Sequence, residues 1–344
     1  MPLVPRRALV TGSAGFVGRA VAARLLAEGW HVTGLDAMTD YYDVALKRAR
    51  HATLEGDAFR AVEARLETPG VLADLLAEER PEIVVHLAAQ AGVRFSIEAP
   101  ETYLDANVTG TFRLLEAARA SLPQHLLLAS TSSVYGANAA MPYAETDRAD
   151  TQMSFYAATK KATEAMAHAY AHLYGLPTTM FRFFTVYGPW GRPDMAPWKF
   201  VQAAFEGRPI DVYNGGRMRR DFTYIDDLAK AVTKLAGVPP VRAQGPVPEG
   251  DSLSPVAPFR VVNIGNAEPV ELMDFIVAVE IATGRTLEKR MLPMQPGDVP
   301  ATWASTDLLE RLTGTRPATP VRHGMARFVE WYRGYAGVSP SEMS

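Results

Sequence analysis

Thr11-Gly12-Ser13-Ala14-Gly15-Phe16-Val17-Gly18 joins an apolar run, Ala8–Thr11, to a helical pattern over Gly18–Glu28. Glycine at every third position permits a tight turn, and a helix N-terminus directly behind it favours an anion such as a pyrophosphate. Gly12, Gly15, Phe16, Val17 and Gly18 are therefore candidate cofactor contacts, with a plain turn as the competing reading. The next apolar run, His31–Asp36, supplies the second clue. An acid about 20 residues beyond such a loop accepts a hydrogen bond from a ribose 2′-hydroxyl and repels a 2′-phosphate. Asp36 thus points to NAD rather than NADP, unless it is merely a solvated strand end.

Outward from the loop, buried-strand patterns recur at Ile83–Leu87, Leu126–Ser130 and Thr179–Phe184. Helical periodicity lies between and after them at Val71–Glu79, Thr102–Arg119 and Tyr156–Tyr174. Alternation of this kind predicts an α/β fold, a doubly wound parallel sheet with helices on both faces and ligands at the carboxyl ends of the strands. After Tyr187 the pattern becomes irregular: a Gly/Pro loop from Gly188 to Pro193, a short helix over Trp198–Phe205, an extended run at Arg219–Tyr224, a helix from Asp226, and a surface loop from Pro239 to Pro258. The expected division is a cofactor domain over 1–186 and a smaller, mainly substrate-binding portion over 187–338, with some of its chain returning to the first sheet.

Composition narrows the class. The 344 residues are 48% hydrophobic, contain no cysteine and carry a formal charge of −3. That balance gives no reason to expect nucleic acid as a partner, and the lack of cysteine leaves no disulfide, thiolate nucleophile or thiolate metal site. No apolar stretch approaches the roughly 20 residues that span a bilayer. A cytoplasmic globular protein with no metal is expected.

Chemistry concentrates around Tyr156-Ala157-Ala158-Thr159-Lys160, which sets a phenol and an ammonium at i and i+4 on one helix face. A lone pair of this kind usually marks a helix surface. Here it follows a strand ending in the hydroxyl-rich Ser130-Thr131-Ser132-Ser133-Val134-Tyr135-Gly136. A lysine cation would favour phenolate and lower the tyrosine pKa, while Thr131 or Ser132 could bond the same substrate oxygen. Tyr156, Lys160, Thr131 and Ser132 are the candidate catalytic residues, suited to moving a proton while a hydride leaves the adjacent carbon.

Together with the glycine loop, His86-Leu87-Ala88-Ala89, Asn107-Val108-x-Gly110-Thr111, Ser133-Val134-Tyr135-Gly136 and Tyr156-x-x-x-Lys160 resemble the extended short-chain dehydrogenase/reductase superfamily over nearly the whole chain. The resemblance implies a Rossmann fold, tightly held NAD, a nucleotide-sugar substrate and a homodimer built through a four-helix bundle from the helices near Thr102–Arg119 and Tyr156–Tyr174. Leu66, Leu87, Ala88, Ala89, Asn107, Ser130 and Phe183, with Tyr156 and Lys160, complete the implied cofactor contacts.

Members of the superfamily epimerise, dehydrate, decarboxylate or reduce. Dehydratases typically place Asp-Glu, and decarboxylating members Glu, before Val-Tyr-Gly; Ser132-Ser133 stands here. Epimerisation through a 4-keto sugar is the simplest remaining outcome. Gln90–Arg94, Arg182–Met195, Arg219–Asp227 and Gln295–Val299 resemble the UDP-glucuronic acid 4-epimerases specifically. By that resemblance Arg192, Thr185 and the hydroxyls of Thr131, Ser132 and Ser133 hold the sugar carboxylate, Arg220 the diphosphate and Asp298 the uridine ribose, with Arg94 a further substrate contact. Bland readings stand beside these: Arg192 as an exposed loop cation, Arg94 paired with an acid, Asp298 as a turn residue and His86 as structural. A UDP-glucose/UDP-galactose 4-epimerase, or one taking both acidic and neutral sugars, is the alternative; a non-catalytic NAD-binding module is a second. One departure concerns adenine. Relatives usually carry an Asp and an apolar residue after the third strand, whereas the expected strand Arg60–Leu66 ends in Arg65 and Leu66.

Overall fold

The computed structural model describes residues 6–294 and 299–338. Its main sheet has seven parallel strands. Six are β1 (Arg7–Thr11), β2 (His31–Asp36), β3 (Phe59–Glu63), β4 (Ile83–His86), β5 (His125–Thr131) and β6 (Thr178–Phe183). Their order is β3-β2-β1-β4-β5-β6, with the late strand Phe259–Ile264 closing the edge beside β6. The expected doubly wound Rossmann sheet is therefore present. Its third strand stops at Glu63 rather than running to Leu66.

Alternate side chains along a strand point to opposite faces. Ala8, Val10, Val85, Leu127 and Phe181 enter the core shared with α1 (Phe16–Ala27) and the helix Ile225–Ala236. Leu9, Val84, Leu126, Leu128 and Met180 enter the opposite one, with the helices Val71–Glu79, Gly110–Ser121 and Phe155–Tyr174. Burial on both faces explains why these strands read as continuous apolar runs. The helices Ala196–Glu206, Leu272–Thr283 and Val321–Ala336 extend the first core.

The helix expected over Thr102–Arg119 is interrupted. Pro100–Tyr103 leads into a π-helix, Leu104–Thr109, before Gly110–Ser121 resumes the α-form. The wider turn presents Asn107, whose Oδ1 accepts from Gln90 N at 2.8 Å and whose Nδ2 donates to Thr159 Oγ1 at 3.0 Å. Side-chain pattern does not distinguish a π-turn from an α-turn, which is why sequence missed it.

Strand order reverses between β1 and β4, and there the two loops touch. A Cβ on Gly12, whose φ is +70°, would lie 2.7 Å from Ala88 N. One on Gly18 would lie 2.0 Å from Gly12 O. Both approaches involve backbone, which has little room to yield. Gly12→Ala is expected to destabilise the fold by about 1–3 kcal/mol through positive-φ strain together with this clash. Denaturant unfolding measures it; an unchanged midpoint would show that the loop accommodates the methyl.

Candidate active site

At the carboxyl end of β5, Thr131 begins a 3-10 turn over Ser132–Tyr135, its Oγ1 accepting from Ser133 N at 3.2 Å. The helix Phe155–Tyr174 starts from Ser154, whose side chain caps Ala157 N. This start places Tyr156 near Thr131, close enough for the threonine to lower the phenol's pKa. Arg192 acts in the same direction from the loop after β6. Burial is larger than both and leaves Tyr156 above the ordinary tyrosine value. The lowering expected from Lys160 is thus not seen in the chain by itself: Lys160 is not among the groups that shift Tyr156.

Lys160 is itself buried, and burial brings it down to about 8 against an opposing pull from Glu164. Glu164 is held by four donors, namely Ser130 Oγ at 2.6 Å, Arg182 Nε at 2.9 Å, Arg182 Nη2 at 2.8 Å and Lys161 Nζ at 3.2 Å. Ser130's hydroxyl is therefore turned to Glu164. Glu164 and Arg182 escaped the sequence reading, although the i+4 step from Lys160 to Glu164 was visible. His86 bonds Thr11 Oγ1 at 2.7 Å and Thr111 Oγ1 at 3.1 Å. With burial driving its pKa to about 3, it is a neutral structural clamp.

Asp36 lies at the end of β2, accepting from Ala14 N at 3.0 Å and Met38 N at 2.9 Å. Those bonds fix the carboxylate against the glycine loop and leave lone pairs for a ribose. The Leu87 carbonyl carbon and Ala88 Cα neighbour Gly12, and Leu87 N and Ala88 N both donate to Thr11 Oγ1 at 3.2 Å, with Ala89 following. Leu66 packs into the second core and against the Gly110 position, while Arg65 pairs with Glu67 at 2.6 Å. Phe183 ends β6, stacked on Phe181 at 5.0 Å. The cradle fits a dinucleotide: a glycine loop with no room for Cβ atoms, a helix start behind Gly15 and an acid at the second strand's end.

Of the expected substrate contacts, Thr185 opens a short strand paired to Phe222. Arg220 lies on Arg219–Tyr224, its Nη2 donating to Val299 O at 2.7 Å, while Arg219 forms an exposed pair with Glu271. Exposed Arg94 stacks on Tyr213 at 4.7 Å. Asp298, with Gln295, Pro296 and Gly297, lies outside the described residues. An open cavity of about 590 Å³ is lined by Gly216, Arg217, Arg219, Glu271, Asp274 and Ala301. It contains neither Tyr156 nor Lys160.

Arg192 departs from a free grip. Its Nε donates to Asp194 Oδ1 at 3.0 Å, and its Nη2 to Asp194 Oδ2 at 2.6 Å and Ala91 O at 3.2 Å. Burial opposes its charge, but Asp194 prevails and raises its pKa. Tyr41 Oη donates to the same carboxylate at 3.3 Å. The pairing is local, two residues along the chain, and sequence reading missed it because both charges sit in a loop without regular geometry.

A half-buried tyrosine and a buried lysine one helical turn apart, beside hydroxyls at the end of β5 and a glycine loop at the reversal of strand order, define a dinucleotide-dependent enzyme class. The chain belongs to the NAD dependent epimerase/dehydratase family, whose model matches residues 8–243. It is 59% identical, over 95% of its length and 96% of the relative's, to a protein of Rhizobium meliloti (strain 1021) described as a probable UDP-glucuronate 4-epimerase. The UDP-glucuronic acid 4-epimerase of Bacillus cereus, solved with UDP-glucuronic acid and NAD, superposes with a TM-score of 0.85 at 29% identity, covering 96% of this chain and 99% of that one. MoeE5, solved with UDP-glucose and NAD, gives a TM-score of 0.82 at 30% identity, with coverage of 96% and 99%.

Lys160 also makes a stability prediction. The unfolded chain holds a proton on it up to about 10.5, whereas the folded one releases it near 8, so its buried charge costs stability below 8 and the cost fades as pH rises through that window. Lys160→Met is expected to be more resistant to urea than the native chain at neutral pH in cofactor-stripped protein, with the gap closing towards high pH. A gap that does not change with pH would assign the difference to packing.

Proposed function

We propose that the protein is an NAD-dependent UDP-sugar 4-epimerase that interconverts UDP-glucuronic acid and UDP-galacturonic acid. The observation that carries this reading is the pair of half-buried Tyr156 and buried Lys160 beside Thr131, with Arg192 electrostatically in reach of the same phenol. The 59% identity to a probable UDP-glucuronate 4-epimerase supports the substrate. NAD, held by the glycine loop and Asp36, would supply the hydride acceptor for C4 of the sugar and the source of its return. Tyr156 Oη receives the C4 hydroxyl proton and returns it to the oxygen once the ring has turned. Lys160, cationic below about 8, would favour the phenolate together with the nicotinamide charge once NAD is bound, while Thr131 and Ser132 would orient the C4 oxygen. Gly12, Gly15, Phe16, Val17 and Gly18 would hold the pyrophosphate and Asp36 the ribose. Leu66, Leu87, Ala88, Ala89, Asn107, Ser130 and Phe183 would line the rest of the cofactor.

Oxidising C4 of a glucuronate creates a β-keto acid, which loses carbon dioxide when the carboxylate bond aligns with the ketone π-system. Thr185, Ser133, Arg94 and Arg192 would restrain that group, Arg220 the diphosphate and Asp298 the uridine. With Nε and Nη2 committed to Asp194, the edge of Arg192 left for a sugar carboxylate is Nη1. That partial occupation favours keeping a second reading, a neutral UDP-glucose, open beside the first. On the same reading the 1–186 portion is mainly the cofactor domain and 187–338 mainly the substrate domain. Among the described residues no helix is long and apolar enough to cross a membrane. That and the lack of cysteine fit work in the cytoplasm. Exposed Phe112, Leu173 and Tyr174 on two helices that pack side by side fit a homodimer through a four-helix bundle. Sedimentation velocity showing a monomer would remove the last point.

Tyr156→Phe is expected to lower turnover by ~10²-fold or more with binding of substrate kept. Arg192→Ala leaves Asp194 unpaired next to an anionic sugar, and is expected to cost ~2–5 kcal/mol for UDP-glucuronic acid and much less for UDP-glucose. The same variant is expected to release some UDP-4-keto-pentose. Kinetics on both sugars with mass spectrometry of the products reads all three effects. Equal losses on both sugars would assign Arg192 to the loop, and normal turnover by Tyr156→Phe would end the mechanism.

A further inference from the structure

Arg50, in the last turn of the helix Val44–Ala52, is fully buried. All of its hydrogen-bond partners are neutral. Nη1 donates to Ala14 O at 3.1 Å and to Tyr42 Oη at 2.6 Å. Nε and Nη2 donate to Trp190 O at 3.1 and 2.8 Å, and Nη2 also to Gly191 O at 2.8 Å. Burying a cation with no carboxylate in hydrogen-bond contact is expensive, and apolar residues of similar volume often serve packing as well or better. Its position suggests what the charge does.

One end of this fork holds the glycine loop at Ala14, whose own N–H is bonded to Asp36. The other holds the two carbonyls immediately before Arg192. The backbone there is strained, with Trp190 at a φ of +64°, a conformation that costs a non-glycine residue energy unless its surroundings impose it. The Trp190 ring packs against Trp331 at 5.1 Å, so both its ring and its carbonyl have fixed partners. The direction in which Arg192 leaves the chain follows from the peptides at 190 and 191.

We propose that Arg50 is a positioning residue that sets Arg192 from the cofactor loop, and thereby determines preference for an acidic over a neutral sugar. The inference rests on the reading of Arg192 as the carboxylate contact. Arg50 touches neither reacting atoms nor sugar. Its guanidinium plane, with donors on both edges, spans the two loops, whereas a lysine retains the charge but not the fork.

The test uses the full chain loaded with NAD in a Tyr156→Phe background, so that binding is measured without turnover. Calorimetric dissociation constants for UDP-glucuronic acid and UDP-glucose are compared for the parent, Arg50→Lys, Arg192→Ala and the double variant, with NAD content determined in each. Arg50→Lys is chosen over an uncharged substitution because it keeps the buried charge and removes only the planar fork. Its expected effect is a loss of about tenfold in the acidic-over-neutral preference, carried by weaker UDP-glucuronic acid binding, with UDP-glucose changed by no more than about twofold. In the Arg192→Ala background Arg50→Lys is expected to change that preference no further. A merely structural role would weaken both sugars alike, or would add its full effect to that of Arg192→Ala; either result overturns the proposal. An Arg192→Ala variant that weakens both sugars alike, and so keeps the parent's preference, overturns the carboxylate reading and this inference with it. An Arg192→Ala variant that loses the acidic preference beside an Arg50→Lys that keeps it overturns this inference alone.

Discussion

The contact between the ends of β1 and β4 is the constraint from which the site is built. Parallel strands with helices on alternate faces must reverse order somewhere, and the loops on either side then splay apart to leave a crevice. Here they remain close enough that Gly12 meets the backbone at Ala88, with no room for a side chain. That approach keeps the glycine loop low over the sheet, orders the start of α1 behind it and brings Asp36 to Ala14. Thr11 reinforces the same seam, since its hydroxyl engages His86 and the amides of Leu87 and Ala88 together. The cradle is thus made by backbone packing first, with side-chain chemistry added at its edges.

A second layer of support lies under Lys160. A lone buried ammonium would shed its proton well below its ordinary range, and burial does bring this one down. Glu164 opposes that drift from one turn further along the helix. Its carboxylate remains ionised because Arg182 and Ser130 saturate it, which keeps its pKa below the usual carboxylate value although burial pulls the other way. Arg182 in turn lies over the ring of Tyr135 at 4.6 Å, and Tyr135 bonds Asn263 on the strand that returns from the second half. The electrostatics of a residue on one helix therefore depend on β5, β6 and Phe259–Ile264 being in register. Such a network is costly to leave half-satisfied, and removal of one member would strand the others.

The sheet strands buried on both faces and the glycine loop were legible because each leaves a local mark: continuous apolar runs, glycines where backbone meets backbone, an acid at a strand end. The bounds of His31–Asp36, Val71–Glu79 and Arg219–Tyr224 agree with the structure to the residue. What sequence did not yield depends on partners distant along the chain. Leu66 was read as the tail of a strand, yet the strand stops at Glu63 and Leu66 turns into the core beside Gly110. Arg50 carries no motif of its own in the sequence; only the fold brings it to Trp190 and Gly191. The lowered phenol was expected from an i, i+4 lysine, but in the chain alone burial outweighs the groups that lower it.

The pairing of Arg192 with Asp194 alters how an acidic sugar would be recognised. A guanidinium free in a pocket would bind any anion of suitable size and would pay its desolvation only on binding. One already held by a carboxylate has much of its charge neutralised, so a second carboxylate gains less from it and is repelled by Asp194. The compensation is geometry: an arginine fixed along Nε and Nη2 presents Nη1 in a defined direction, without the side-chain entropy loss that a mobile arginine would incur on binding. Recognition of this kind trades attraction for orientation. Orientation is what a 4-keto glucuronate demands, because its carboxylate must be kept out of line with the ketone while the ring turns. It also leaves room for a neutral sugar, which would meet no unpaired cation in its path.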